Sequence, residues 1–213
     1  MPASADFARD PIEFMRSHIV KCSKMPPGPQ LEGKGRSRRR PVRVGAFDLS
    51  GKGVYDLLYC RDETEANTLL AYYCPYEDDQ ANYVFLGDEA DYMFTPSVSG
   101  CTFGIGSRTD KGGVLVGHAN AKLIGIERGR EAQQTEQATM LTDKKGMGDD
   151  PRLITPTAYN MGDYDANRGT IVGVRRSDYA GNSSGEAWLF YTQTFTVPGY
   201  QHVRLRAEAI RGL

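Results

Sequence analysis

Cys101 and His118 are the residues of this 213-residue sequence whose types and spacing best suit nucleophilic chemistry. Cys101 ends a Ser-Gly-Cys tripeptide and opens an apolar run, and His118 closes the next apolar run. The segment between the runs, 107–113, is polar and ends in two glycines, which is typical of a hairpin loop. Because hairpin strands are antiparallel, the start of the first lies beside the end of the second. The sequence therefore predicts a thiol next to an imidazole.

A thiol beside an imidazole can attack carbonyl groups. Only the thiolate attacks well, so the imidazole of His118 would accept the proton of Cys101. A third group must orient the imidazole, and Thr95 is the nearest candidate, through either its hydroxyl or its backbone carbonyl. Gly100 allows a substrate to approach the backbone closely, and the Cys101 amide is a natural oxyanion donor. Ser99 and Gly100 are the predicted oxyanion and substrate-binding positions.

Two simpler interpretations compete with catalysis. A single cysteine in an apolar strand is usually a small core residue, and a histidine at a strand end is usually a surface or hydrogen-bonded residue. His202 is the competing base for Cys101. His118 is preferred because a local hairpin brings it near the thiol, whereas His202 would need long-range folding to reach it.

The spacing Thr95-x5-Cys101, with Ser99-Gly100-Cys101 and His118 downstream, resembles the active-site pattern of the bacterial cysteine glutamine deamidases. This superfamily includes Burkholderia lethal factor, the cytotoxic necrotizing factor catalytic domains and the CheD-like chemoreceptor deamidases. The gap between the cysteine and the histidine is longer than in the lethal factor and closer to that of CheD. The resemblance covers about residues 92–120.

The resemblance implies Cys101 as nucleophile, His118 as base and Thr95 as the residue that orients the base. It implies a bacterial toxin or secreted effector that converts a glutamine of a host protein to glutamate. The lethal-factor resemblance suggests a translation factor as the target, and the necrotizing-factor resemblance suggests a small GTPase.

The same cysteine–histidine pair suits other functions, which the residues leave open. A cysteine protease shares the first half-reaction, and a transglutaminase results when a primary amine replaces water. From a different class, a non-enzymatic β-sandwich binding module would carry Cys101 as a structural residue with an inert thiol. The outcome of treating a substrate, namely deamidation, cross-linking, cleavage or no change, distinguishes these hypotheses.

Composition excludes several function classes. The formal net charge of −1 predicts no general attraction to nucleic acid or membranes, and the sequence has no apolar run long enough for a membrane-spanning helix. The four cysteines lack zinc-site spacing, so we expect no metal or other cofactor. The start of the chain lacks a classical signal pattern. We therefore expect reduced cysteines. Together with this, the resemblance to the bacterial deamidases implies a monomer made in the bacterial cytoplasm and then secreted or injected into the host cytosol.

The remaining patterns predict an α+β fold with a β-sandwich-like core of mostly antiparallel strands, flanked by a few helices. Residues 1–41 are interpreted as an N-terminal helix and a flexible basic linker, and 42–213 as a single catalytic β-rich domain. Helices are predicted at 10–22, with Asp10 as N-cap and Pro11 in the first turn, and at 127–145. The second hairpin strand is predicted to continue to Ile126. Further strands are predicted at 42–49, 54–60, 69–74, 82–86, 152–159, 170–175, 187–197 and 201–209.

Overall fold

The computed structural model describes residues 3–24, 42–51, 53–60, 67–108, 113–144, 147–156, 167–176, 187–196 and 201–209. Within these ranges the chain forms four helices and twelve strands. The helices are α1 (Ala3–Arg9), α2 (Pro11–Ser17), α3 (Lys122–Arg128) and α4 (Arg130–Thr142). The strands are β1 (Ile19–Lys24), β2 (Val42–Gly51), β3 (Val54–Tyr59), β4 (Leu69–Tyr73), β5 (Ala81–Leu86), β6 (Tyr92–Phe94), β7 (Thr102–Arg108), β8 (Val114–Ala119), β9 (Arg152–Ile154), β10 (Asn167–Arg176), β11 (Ala187–Thr196) and β12 (Gln201–Ala209).

The strands form two sheets. The large sheet has the order β1-β3-β2-β4-β6-β10-β11-β12, and the small sheet has the order β5-β8-β7-β9. All pairs are antiparallel except β1 with β3 and β4 with β6. The structure confirms the predicted α+β class with mostly antiparallel strands.

The main core lies between the two sheets. Side chains on the inner face of the small sheet, such as Phe103 and Val116, pack in one cluster with Met93, Ile171 and Phe190 of the large sheet. Burying an aromatic or branched side chain of this size contributes roughly 1.5–3 kcal/mol, so the packing of the two sheets contributes substantially to stability. The cluster also contains Cys101. The candidate nucleophile therefore belongs to the layer between the sheets.

The N-terminal segment packs on the other face of the large sheet. Phe7 of α1 and Phe14 and Met15 of α2 are buried in a second cluster with side chains of that sheet. Asp10 caps α2 by accepting a hydrogen bond from the Glu13 amide, and Pro11 is its first residue, as predicted. The prediction that this helix continues to residue 22 is wrong, because Ile19–Lys24 is strand β1. The flexible basic linker predicted before residue 42 lies outside the described residues, which end at 24 and resume at 42.

Tertiary contacts explain the early end of α2. The buried Gln193 side chain of β11 donates hydrogen bonds to the carbonyls of Met15 and His18, at 2.5 and 2.6 Å. Its oxygen accepts one from the Val20 amide at 2.7 Å. These bonds satisfy backbone groups at the turn between α2 and β1, so residues 19–24 are free to pair with β3.

The region after the hairpin also differs from the prediction. Strand β8 ends at Ala119 and does not continue to Ile126, since Lys122–Arg128 forms α3. The predicted helix 127–145 is observed as α4, which ends at Thr142 and is separated from α3 by Gly129 with a φ of +86°. Of the predicted strand 152–159, Arg152–Ile154 forms β9, and residues 157–159 lie outside the described part.

Helix α4 packs closely on the outer face of the small sheet. Gly104 and Gly117 are cross-strand partners on β7 and β8. A Cβ atom at Gly117 would lie 2.6 Å from a methyl carbon of Leu141, and one at Gly104 would lie 3.1 Å from it. Because both positions lack a side chain, Leu141 is fully buried against the strands. This close approach places α4 beside the start of β7, next to Cys101.

Candidate active site

The hairpin places Cys101 and His118 on the same face of the small sheet. Strands β7 and β8 pair with Thr102 opposite Ala119 and Phe103 opposite His118. Extended by one residue, this register puts Cys101 opposite Asn120, with His118 as its diagonal neighbour. Diagonal neighbours have Cα atoms roughly 7–8 Å apart and are within reach of aromatic side chains. The thiol and the imidazole are therefore brought to one end of the layer between the sheets.

Thr95 approaches His118 from the side of the large sheet. It follows strand β6 of the large sheet, and its Oγ1 lies 2.6 Å from Nδ1 of His118. Both side chains are buried, with 0% and 1% of their residue surface exposed. If Nδ1 carries the proton and donates it to Thr95, Nε2 is left as the proton acceptor. Nε2 has no hydrogen-bond partner among the described residues, so the basic nitrogen has no competing contact there. Of the two options for Thr95, its hydroxyl makes the contact.

Asn120 contacts the sulfur and had not been predicted as a site residue. Its Nδ2 donates to Sγ of Cys101 at 3.4 Å. Its Oδ1 accepts hydrogen bonds from the amides of Lys122, at 2.9 Å, and Asp79, at 3.4 Å. Because two backbone N–H groups occupy Oδ1, the amide orientation is determined and the donor faces the sulfur. Asn120 can therefore stabilise the negative charge that develops on Cys101.

Gln137 of α4 bridges the residues on either side of Cys101. Its Nε2 donates to the carbonyl of Gly100 at 2.9 Å, and its Oε1 accepts from the hydroxyl of Thr102 at 2.7 Å. The side chain is completely buried. Gly100 has a φ of +154°, a conformation that other residues rarely adopt, and a Cβ there would meet nothing within 4 Å. Gln137 thus holds the backbone before Cys101 by a hydrogen bond, and the space where a Cβ of Gly100 would lie is open.

Tyr76 lies over the histidine. Its ring centroid is 5.4 Å from that of His118, and its hydroxyl donates to Asp78. Asp78 also pairs with Lys122 at 3.0 Å. Tyr76 is 38% exposed, whereas Cys101 is 4% exposed. Tyr76, Asp78 and Lys122 therefore form a polar rim between the candidate site and solvent.

At rest, the cysteine and histidine are both neutral. Burial lowers the pKa of His118 from 6.5 to about 3. Burial raises the pKa of the Cys101 thiol, which hydrogen bonds from Asn120 and the backbone of Ser99 partly oppose, while the charge of Asp78 adds to the increase. A preformed thiolate–imidazolium pair is therefore not the resting state. For this sulfur to act as a nucleophile, its proton would have to move to the imidazole during the attack.

Burial of a neutral histidine predicts acid sensitivity. Because the folded-state pKa of about 3 is below the unfolded value of 6.5, the unfolded state binds more protons between these two pH values. Stability is thus fully present above pH 6.5 and is lost as the pH falls toward 3, by at most about 1.4 kcal/mol per pH unit. We expect urea unfolding of the His118→Gln variant to show a shallower loss over this range. Equal slopes for the two proteins would contradict a neutral buried histidine.

The other predicted site residues and cysteines are placed as follows. The backbone of Ser99 hydrogen-bonds the sulfur. His202 lies on β12, the far edge strand of the large sheet, where it pairs with Phe195 of β11, and its side chain lies outside the described part. All four cysteines are buried, and none of them forms a disulfide. Among the described residues, no group of three or more His, Cys, Asp or Glu side chains could hold a metal ion. Likewise, none of the described helices has the length and apolarity to cross a membrane.

Comparison with solved structures gives a neighbour of low similarity. No protein-family model and no curated protein matches the sequence. The fold is similar to that of the C-terminal domain of CNFy from Yersinia pseudotuberculosis, with a TM-score of 0.40 and 9% identity. The match covers 84% of this chain and 93% of that chain. Similarity at this level does not indicate a shared function, so the site must be interpreted from its own geometry.

Proposed function

We propose that this protein is a cysteine-dependent protein-glutamine deamidase. The hydrogen bond between Thr95 and His118 carries the proposal, because it orients a buried imidazole on the same face as Cys101. An oriented base next to a thiol is the arrangement that nucleophilic catalysis requires. The resemblance of Thr95, Ser99–Cys101 and His118 to the active-site pattern of the bacterial glutamine deamidases supports the same function.

The reaction has two half-reactions. Cys101 Sγ attacks the carbon of the glutamine carboxamide while its proton passes to Nε2 of His118, and the negative oxygen is stabilised by backbone N–H groups. The C–N bond then breaks as the imidazolium protonates the leaving nitrogen. Ammonia departs, and a thioester between the substrate and Cys101 remains. His118 next accepts a proton from water as the water attacks the thioester carbon. The C–S bond then breaks, the imidazolium returns the proton to Sγ, and the products are glutamate and the thiol of Cys101.

The burial of Cys101 favours deamidation over proteolysis. A protease must accept a polypeptide backbone on both sides of the bond, whereas a deamidase needs access for a single side chain. A cysteine residue that is 4% exposed, at one end of the layer between two sheets, suits an inserted glutamine better than a backbone running through a cleft. A transglutaminase uses the same thioester with an amine in place of water.

In its biological setting, we propose a bacterial toxin or effector that reaches the host cytosol and acts as a monomer without a cofactor. Its partner is a host protein with a reactive glutamine, either a translation factor or a small GTPase. A new carboxylate in a buried or interfacial position carries a desolvation cost of several kcal/mol if it stays unpaired. Converting one glutamine can therefore inactivate or switch the target.

Treatment of host-cell lysate tests the reaction. We expect the wild-type protein to convert a specific glutamine to glutamate, detected by peptide mapping as the mass change of amide to acid. The Cys101→Ser variant should give no conversion, and Cys60→Ser, which changes another buried cysteine, should retain it. Attached amines would indicate a transglutaminase and cleaved fragments a protease. An unmodified lysate, together with a Cys101 thiol inert to iodoacetamide, would instead favour the binding module.

A further inference from the structure

Gln137 lies outside the predicted site but forms hydrogen bonds on both sides of the candidate nucleophile. It approaches from α4, more than thirty residues along the chain, and contacts both Gly100 and Thr102. A buried glutamine is costly unless its polar atoms are satisfied, and both ends of this side chain are hydrogen-bonded. Both bonds are made to the residues that flank Cys101, which a general packing role would not require.

The peptide bond between Gly100 and Cys101 transmits the effect. A trans peptide is planar, and its C=O and N–H groups point in opposite directions. Because Gln137 holds the Gly100 carbonyl on the α4 side, the Cys101 N–H points away from α4. The Cys101 side chain packs on that same side, in the core between the sheets. The N–H is therefore directed toward the region where a carbonyl attacked by the sulfur would place its oxygen.

We propose that Gln137 is a positioning residue that sets the oxyanion hole by fixing the Gly100–Cys101 peptide. This assignment rests on the proposed function of Cys101 as nucleophile. Gly100 needs such a restraint, because a glycine has an unusually wide choice of backbone conformations and this peptide could otherwise rotate. Thr102 completes the arrangement, since its hydroxyl occupies Oε1 and thereby directs Nε2 toward the carbonyl.

Two reagents separate this role from a purely structural one. Acylation of Cys101 by p-nitrophenyl acetate passes through a tetrahedral oxyanion, whereas alkylation by iodoacetamide is a displacement at carbon without one. We expect Gln137→Met to slow acylation by about 10- to 100-fold, since loss of a whole oxyanion donor costs about 10²- to 10³-fold. Alkylation, measured at Cys101 by peptide mapping, should stay within about twofold of wild type. Gln134→Met, on the same helix, is the matched control and should change neither rate.

Thr102→Val provides a second variant in case Gln137→Met does not fold, which thermal unfolding will show. It removes only the donor to Oε1, so we expect a smaller loss of acylation with alkylation again unchanged. Equal losses in both reactions, or no loss in acylation, would overturn the role of Gln137 while leaving Cys101 as the nucleophile. A wild-type Cys101 that is inert to both reagents would overturn the proposed function, and the assignment of Gln137 with it.

Discussion

Replacing His118 with alanine should slow the acylation of Cys101 by p-nitrophenyl acetate by about 10²- to 10⁴-fold, the usual contribution of a general base. The physical reason is the high pKa of the buried thiol, which leaves almost no thiolate at neutral pH unless a base accepts its proton. Stopped-flow measurement of p-nitrophenolate release gives the rate, and peptide mapping confirms the acylated residue. Alkylation by iodoacetamide should fall as well, because it also needs the thiolate.

His202→Ala is the matched control for this experiment. His202 lies on β12, which is two strands beyond β10 in the large sheet. The backbones of β10 and β12 are therefore roughly 10 Å apart. We expect its replacement to change acylation by less than about threefold, in contrast to a general-base effect. A loss confined to His202→Ala would make that residue the base. If neither variant lowers the rate of acylation, general-base catalysis by a histidine is not part of the mechanism.

Asn120→Asp should slow acylation by about 10- to 100-fold at neutral pH. The substitution retains an oxygen that can accept from the amides of Lys122 and Asp79, so the start of α3 keeps its hydrogen bonds. It replaces the Nδ2 donor to Sγ with a carboxylate oxygen. A neighbouring negative charge raises a thiol pKa by about 1–3 units, and each unit lowers the thiolate fraction tenfold. The rate of alkylation against pH measures this shift directly.

The control for the added charge is Asn67→Asp. Asn67 is exposed, and its carbonyl accepts from Ser4 of α1, on the opposite side of the large sheet from the candidate site. We expect its alkylation profile to match that of wild type. If Asn120→Asp also leaves the profile unchanged, Asn120 does not stabilise the thiolate and its role is limited to supporting α3.

Local sequence patterns predicted the parts of the fold that depend on neighbouring residues. The β7–β8 hairpin followed from two apolar runs and a glycine-rich loop, and its register alone places Cys101 near His118. The N-terminus of α2 followed from Asp10 and Pro11. The predictions failed where distant side chains compete with local propensity. Gln193 stabilises the turn that ends α2, and the side chains of Asn120 and Asp79 accept from the first amides of α3.

The amino-acid sequence by itself determined the α+β class, the hairpin and the identity of the candidate nucleophile, base and orienting residue. Each of these depends on residue type and short-range spacing. Only the tertiary structure decided that Thr95 contacts His118 through its hydroxyl, that Asn120 faces the sulfur and that Gln137 holds the peptide before it. It also decided that the pKa of the histidine is lowered, because packing buries its ring between two sheets. These contacts join elements that are distant in the chain, and only packing brings them together.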